Sequence, residues 1–375
     1  MSKTSVPRLI FASSEQSAEM LYATKFFVPD PFLFLQKNGT KRILLSDLEI
    51  DRGRKEAKVD EVVSLSEIEG RLEKKLKTKP PMEQTIVTFL RQHRVRRALV
   101  PYDFPVGLSF ELAKRGINLI PVNGLFWPER EFKSAEELKS IELAIRITEA
   151  GLARGIEVLR AAEIRRGNRL FWSGRLLTSE ILRAEIETAI LRRGGKAANT
   201  IVAGGEQACN PHHPGVGPLK ANTLIILDVF PRETASGYFG DLTRTVVRGR
   251  ASEAQRKLWH TVREAQEFAI QGIKAGESGA KLQDKVAEFF VQKGYPKAIR
   301  DDRWVGFFHG LGHALGLEIH EQPRIAKTSF RAGQVFTVEP GLYYPGIGGA
   351  RIEDDGIVTK KGFKVLSRFE KEVEV

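Results

Sequence analysis

Phe307–Pro323 reads FFHGLGHALGLEIHEQP and holds three of the chain's seven histidines, His309, His313 and His320, within twelve positions. A zinc-binding HExxH helix is excluded, because Gly310 follows His309 and glycine and leucine fill the spacer. Gly310, Gly312 and Gly316 instead mark backbone that approaches another group closely. Two more histidines stand together upstream, His212 and His213, in the loop ACNPHHPG.

Four carboxylates lie on either side of this stretch in apolar surroundings. Asp228 sits in LIILDVF, Asp241 in GYFGDLTRTVV, Glu339 in QVFTVEPGLYY and Glu353 in GARIEDDGIV. Such flanks read as strands and leave the acids at least half buried. Burying an unpaired carboxylate costs several kcal/mol, on the order of the effective penalty for an ion moved inside. Each acid therefore needs a partner, and Arg244 and Arg351 would serve two of them as ion pairs. Asp228 and Asp241 are 13 positions apart, and Glu339 and Glu353 are 14 apart. A glycine-containing turn lies in each interval, so two hairpins would each project a pair of acids to one point. Four convergent carboxylates repel unless cations lie between them. Two divalent cations match their charge, and oxygen ligands with one imidazole suit manganese, cobalt or zinc.

Working outward, 375 residues suggest two or three domains at roughly 100–200 residues each. Arg42–Leu45, Arg97–Pro101 and Ile117–Val122 read as strands, and Met82–Gln92 and Gly107–Arg115 as helices. Strand, helix, strand at this spacing predicts a parallel pair in an α/β domain. Asn123–Lys133 breaks the pattern, which places a boundary near residue 132: a domain over 1–132 and a second over 133–375. Ser134 with Glu137 forms a capping box for a long helix, and its apolar stripe is interrupted at Thr148. Thr178 caps a further helix ending at Gly194, and Ser252 with Gln255 forms another capping box. A helix over Ala280–Lys293 follows. Strands are expected at Thr200–Ala203, within Thr223–Val247 and within Gln334–Val358. Helices followed by strands thus occur twice, the pattern of a pseudo-symmetric α+β domain.

The chain has one cysteine, Cys209, and no apolar run near the ~20 residues a membrane span needs. The N-terminal MSKTSVPRLIFASSEQ lacks the apolar core of a signal peptide. These features lead us to expect a soluble, cytoplasmic protein without membrane partners. The net charge of +12 is spread among acids and apolar residues, and no nucleic-acid signature accompanies it, so no nucleic-acid partner is expected.

The motifs resemble those of the aminopeptidase P, prolidase and creatinase family. Its Asp…Gly-Tyr-x-x-Asp-x-Thr-Arg-Thr element is similar to Asp228–Thr245. Its His-Gly-x-x-His-x-x-Gly-Leu-x-x-His element matches His309–His320, Val-Glu-Pro-Gly is Val338–Gly341, and Arg-Ile-Glu-Asp is Arg351–Asp354. The match runs in the family's order from about residue 135 to 375. The resemblance implies a pita-bread catalytic domain behind a smaller creatinase-type α/β N-terminal domain, and a homodimer.

It also implies roles. Asp228 would be the bidentate ligand of one metal, Asp241 and Glu353 would bridge, and His313 would be the imidazole ligand of the other. Glu339 would be a terminal ligand and general base and acid. His212 resembles the substrate-binding histidine more than His213 does, and His320 the histidine facing the reacting carbonyl. His309 would stand behind the site or on the substrate side, and Arg351 would orient carboxylates or receive substrate. The implied activity is hydrolysis of a peptide substrate at an Xaa-Pro bond, of aminopeptidase or dipeptidase type, with manganese as the first expectation and cobalt or zinc also suited. A metal-free creatinase-like amidinohydrolase and a non-enzymatic pita-bread module are the competing readings. Phe230 departs from the family's glycine two residues after the first aspartate, and the first acid-to-acid interval is two residues longer than usual. Pro231–Ser236 is therefore expected to form an extended tip at the pocket rim.

Overall fold

The computed structural model describes residues 6–197 and 199–375. The chain divides into two compact units, one ending at Pro128 and the other spanning Glu129–Val375.

The first unit is built on a six-stranded mixed sheet. Arg97–Pro101 and Asn118–Val122 are parallel, with Arg97 opposite Asn118, and Val106–Lys114 is the helix between them. The expected strand Arg42–Leu45 forms within Thr40–Leu45 of this sheet. Its two central strands were not read from sequence: Arg8–Ala12 and Phe32–Lys37 pair antiparallel. Their side chains alternate between two apolar clusters. Leu9, Leu33 and Leu35 meet Ile86, Phe89 and Leu90, whereas Ile10 and Phe34 meet Met20, Phe26 and Trp127. A sheet covered on both faces hides the polar alternation that marks a strand.

Residues 129–132, assigned by composition to the first domain, make their contacts in the second unit. The Arg130 guanidinium meets Glu318 at 2.7 Å and Glu321 at 2.6 Å. Helix Ala135–Ala161 follows, and its capping box of Ser134 and Glu137 is formed. Thr148 lies buried on this helix, its hydroxyl turned back to the Ala144 carbonyl at 2.9 Å, so the interruption of the stripe leaves no polar group unsatisfied.

Two helices followed by strands then occur twice. Helices Ala135–Ala161 and Ser179–Arg192 precede a sheet of Ile201–Gly204, Ile225–Val229 and Leu242–Val246. Helices Glu253–Gly272 and Gly279–Gln292 precede a five-stranded sheet that includes His313–Ala314, Val335–Val338 and Asp354–Val358. Trp259, Val262 and Ala265 of Glu253–Gly272 pack in one core with Phe336, Val338 and Ile352. The strands that carry the acids are thereby backed by a helix.

The second hairpin differs from expectation. Val335–Val338 pairs directly with Asp354–Val358, with Val338 opposite Asp354. The residues between them fold as an inner hairpin of Gly341–Tyr344 and Gly348–Arg351. Glu339 and Glu353 therefore sit just beyond the ends of a paired couple of strands.

Candidate metal centre

Asp228 is the penultimate residue of the all-buried strand Ile225–Val229, and Asp241 immediately precedes its antiparallel neighbour; Asp228 lies opposite Thr243. The two elements meet the second sheet through Thr243. Its carbonyl accepts from the Glu353 backbone N–H at 3.1 Å, and its hydroxyl donates to Glu353 Oε2 at 2.6 Å. His313 is held to the Glu339 strand, its N–H donating to the Thr337 hydroxyl at 3.2 Å, while that hydroxyl donates to Glu339 Oε1, also at 3.2 Å.

These joints bring one ligand atom each of Asp241, His313 and Glu353 within 4.8 Å of one another. His313 Nε2 lies 3.6 Å from Asp241 Oδ2 and 3.3 Å from Glu339 Oε1. His313 Nδ1 faces the Ala314 carbonyl at 3.2 Å. A carbonyl only accepts, so Nδ1 holds the hydrogen and Nε2 turns a lone pair to the acids, the orientation of a metal-ligating imidazole. Asp241 Oδ1 is buried with no hydrogen-bond partner.

The electrostatics agree with a site made for cations. Burial, reinforced by the neighbouring carboxylates, pushes the Asp241 and Glu353 carboxyls well above their ordinary range. Burial raises Glu339 to about 7. Burial and the nearby His320 lower His313 to about 3, so it is neutral at physiological pH. Divalent cations would allow all of these groups to be ligands at once.

All nine residues singled out from the sequence line one cavity of about 730 Å³: Asp228, Asp241, His313, Glu339, Glu353, His212, His309, His320 and Arg351. Their surroundings differ. Asp228 stands outside the tight cluster, and its Oδ2 accepts from Arg351 Nη2 at 2.6 Å. Arg351 is buried, and its remaining N–H groups reach the Thr243 and Tyr343 hydroxyls and the Pro211 carbonyl. That arrangement orients protein groups and leaves Arg351 no donor for substrate. Tyr343 continues the chain, with its hydroxyl 2.9 Å from His309 Nε2. His309 Nδ1 faces the Gly310 carbonyl at 2.9 Å, so Nε2 accepts from Tyr343, and both ring nitrogens are engaged by protein. His213 turns away, its Nδ1 accepting from the Gly215 N–H.

Two of the three glycines approach other groups. A Cβ on Gly312 would lie 2.1 Å from the Thr337 carbonyl oxygen, and one on Gly316 would lie 2.6 Å from Glu321 Oε1. Gly310 has open space. Phe230 lines the cavity, and the longer tip behind it is closed by Glu233, whose carboxylate accepts from the Ala235 and Ser236 N–H groups at 2.7 Å.

Residues 139–360 match the model of metallopeptidase family M24. The chain belongs to that family. Among relatives of this M24 protein, the Xaa-Pro dipeptidase of Pyrococcus furiosus is 33% identical over 252 residues, spanning 65% of each chain. The structure of an Xaa-Pro dipeptidase from Bacillus anthracis superposes with a TM-score of 0.81 at 24% identity, covering 98% of this chain and 95% of that one. An X-Pro aminopeptidase from Thermotoga maritima also gives 0.81, at 22% identity over 98% and 97%. The fold of this M24 chain is accordingly the pita-bread fold, with mixed helices and sheets.

Sequence reasoning missed several groups in this M24 site. Thr243 stands two positions from Asp241 and so shares its strand face, a signal that was readable. Thr337, two positions before Glu339, carried the same signal, whereas Tyr343 and the cavity-lining Arg324 and Lys327 carried none.

Proposed function

We propose that this chain is a two-metal peptidase that cleaves Xaa-Pro bonds, with dipeptides as its preferred substrates. The observation that carries the reading is the convergence of Asp241, His313 and Glu353 in a cavity that Asp228 and Glu339 also line. The orphaned Asp241 Oδ1 and the aimed Nε2 of His313 fit a cation site. Asp228, Asp241, His313, Glu339 and Glu353 would hold two divalent cations, manganese first among them. Bound there, the cations would supply polarisation of the scissile carbonyl and a hydroxide source near neutral pH.

The chain's own residues do the rest. Glu339, with Thr337 fixing one oxygen, is suited to take a proton from water and return it to the leaving nitrogen. His320 opens on the cavity and is kept neutral by burial and by the Arg324 charge, so an N–H can stabilise an oxyanion without carrying a full charge. His212 lines the cavity and would hold substrate. Phe230, Phe308 and Ile319 offer an apolar wall to a proline ring. Arg324 and Lys327 add two cations to the lining of the same cavity, which suits the free carboxylate of a dipeptide. We further propose a homodimer in the cytoplasm. Among the described residues no helix is long and apolar enough to cross a membrane, and Cys209, half-buried with its thiol pushed up to about 12 by burial, suits a reducing compartment.

The test is elemental analysis of wild type and Asp241→Ala, with Xaa-Pro dipeptides and Xaa-Pro-Yaa tripeptides assayed on manganese-loaded protein. Metal uptake lost in the variant, with dipeptide cleavage, supports the reading. Tripeptide cleavage alone would move the assignment to an aminopeptidase, and a wild type that binds no divalent metal would overturn it.

A further inference from the structure

We infer that Leu366–Lys371 is a positioning element for Glu339 and Glu353, acting through Asp354 and Arg244; the inference rests on the metal-binding reading above. Asp354 follows Glu353 in the chain, is buried, and receives four donors. Its Oδ1 accepts from Arg244 Nη2 and from the Ser367 hydroxyl, each at 2.7 Å. Its Oδ2 accepts from the Lys371 ammonium at 2.7 Å and from Gln266 Nε2 at 3.1 Å. Two of the four come from the segment. Arg244 is buried as well and is held by the same segment, donating to the Glu370 carbonyl at 2.9 Å and the Phe369 carbonyl at 2.7 Å. Its Nη1 then donates to the backbone carbonyl of Glu353 at 2.6 Å.

Gln266 carries the link to the other glutamate. Its Oε1 accepts from Lys371 Nζ at 2.7 Å, and its Nε2 donates to the Val338 carbonyl at 3.0 Å, one residue before Glu339. The Leu366 N–H is fastened to the Asp355 carbonyl at 2.8 Å. Each of these paths ends at, or one or two residues from, a glutamate of the centre, while Arg146, donating to the Leu366 carbonyl, and Glu149, accepting from the Arg368 N–H, tie the segment to helix Ala135–Ala161. A segment that only covered apolar surface would not direct two backbone carbonyls at one buried guanidinium and two side chains at one buried carboxylate. Loss of the groups that orient metal-bound side chains lowers metal affinity by roughly 10–100-fold.

The experiment titrates Mn2+ into full-length protein by calorimetry, well below the melting temperature. It compares wild type, Ser367→Ala, the double variant Ser367→Ala/Lys371→Met, and Glu374→Gln. The last removes an ion pair to Arg256 at 2.5 Å without touching Asp354 or Arg244, and so reports a purely structural loss. The expected result is Mn2+ affinity about tenfold weaker in the double variant, a smaller loss in Ser367→Ala and none in Glu374→Gln. Wild-type affinity in the folded double variant overturns the inference; if that variant does not fold, wild-type affinity in Ser367→Ala does so. Wild-type protein that takes up no Mn2+ overturns the metal reading and this inference together, whereas wild-type uptake with unchanged variants overturns this inference alone.

Discussion

Thr243 donates its hydroxyl hydrogen to Glu353 Oε2 over 2.6 Å, and both residues are buried. Valine has the same shape without the donor, so Thr243→Val leaves one oxygen of Glu353 unsupported. We expect Mn2+ binding about tenfold weaker and kcat/KM reduced in step. Thr243→Ser restores the donor and should recover both. Calorimetry and steady-state kinetics on the three proteins decide it.

Removing the metal should destabilise the fold as well as abolish peptidase activity. Without cations, the acids of the centre are buried against one another, whereas a ligand that binds only the folded state adds about 2.7 kcal/mol at a concentration 100 times its Kd. Dialysis against a chelator should therefore lower Tm, and manganese should restore both Tm and activity. Binding should also release protons, because burial and the neighbouring carboxylates raise the Asp241 and Glu353 carboxyls, whereas metal ligation needs them ionised. Titration in two buffers of different ionisation enthalpy measures that release.

Glu321 gives an acid-sensitive contribution to stability. Burial alone would raise its carboxyl, but Lys133 and Arg130, each at 2.6 Å, outweigh burial and hold it below its ordinary value. A depressed folded pKa stabilises above the unfolded value, about 4.3, and that stabilisation is lost as pH falls through the folded value. Glu321→Gln should cost about 3–5 kcal/mol at pH 7 in urea unfolding, because buried Lys133 loses its carboxylate and buried Arg130 loses one of the two carboxylates it meets. The gap from wild type should narrow below about pH 4. A gap independent of pH would show that the ion pair contributes nothing.

Gly312 tests the close approach beside His313. A Cβ there would lie 2.1 Å from the Thr337 carbonyl oxygen, which is backbone and has no easy retreat. Gly312→Ala should destabilise by about 1–3 kcal/mol, as overpacking does. It should also weaken metal binding by separating His313 from the Glu339 strand. Unaltered Tm and metal affinity would contradict the close packing.

Arg324 and Lys327 bear on substrate length. Neutralising both as Arg324→Met/Lys327→Met should raise KM for an Xaa-Pro dipeptide by about tenfold or more, equivalent to roughly 1.4 kcal/mol for a lost charge-assisted contact. KM for a tripeptide with an amidated C-terminus should change little. Equal losses on both substrates would remove these residues from carboxylate recognition.

The acids were legible because few physical circumstances place a carboxylate inside an apolar strand. Asp228, Asp241, Glu339 and Glu353 each announced themselves through their neighbours. The helix starts at Ser134 and Ser252 were equally plain, since a capping box is written within four residues. What stayed hidden depends on partners distant in sequence. The central strands Arg8–Ala12 and Phe32–Lys37 are covered on both faces and show no alternation. Tyr343 acquires its place from His309 and Arg351, and no local pattern marks it. The inner hairpin between Glu339 and Glu353 was hidden because an unbroken strand pair and a nested one share the same turn residues.

Asp228 and Glu353 are 125 positions apart, and the strand that carries Asp228 and the strand that begins just after Glu353 belong to different sheets. Contacts this distant in sequence carry a large loop-closure entropy and form slowly during folding. The metal pocket therefore exists only after the whole second unit has assembled. Capture of the ions should be among the last kinetic events, arriving after secondary structure has reached its native level.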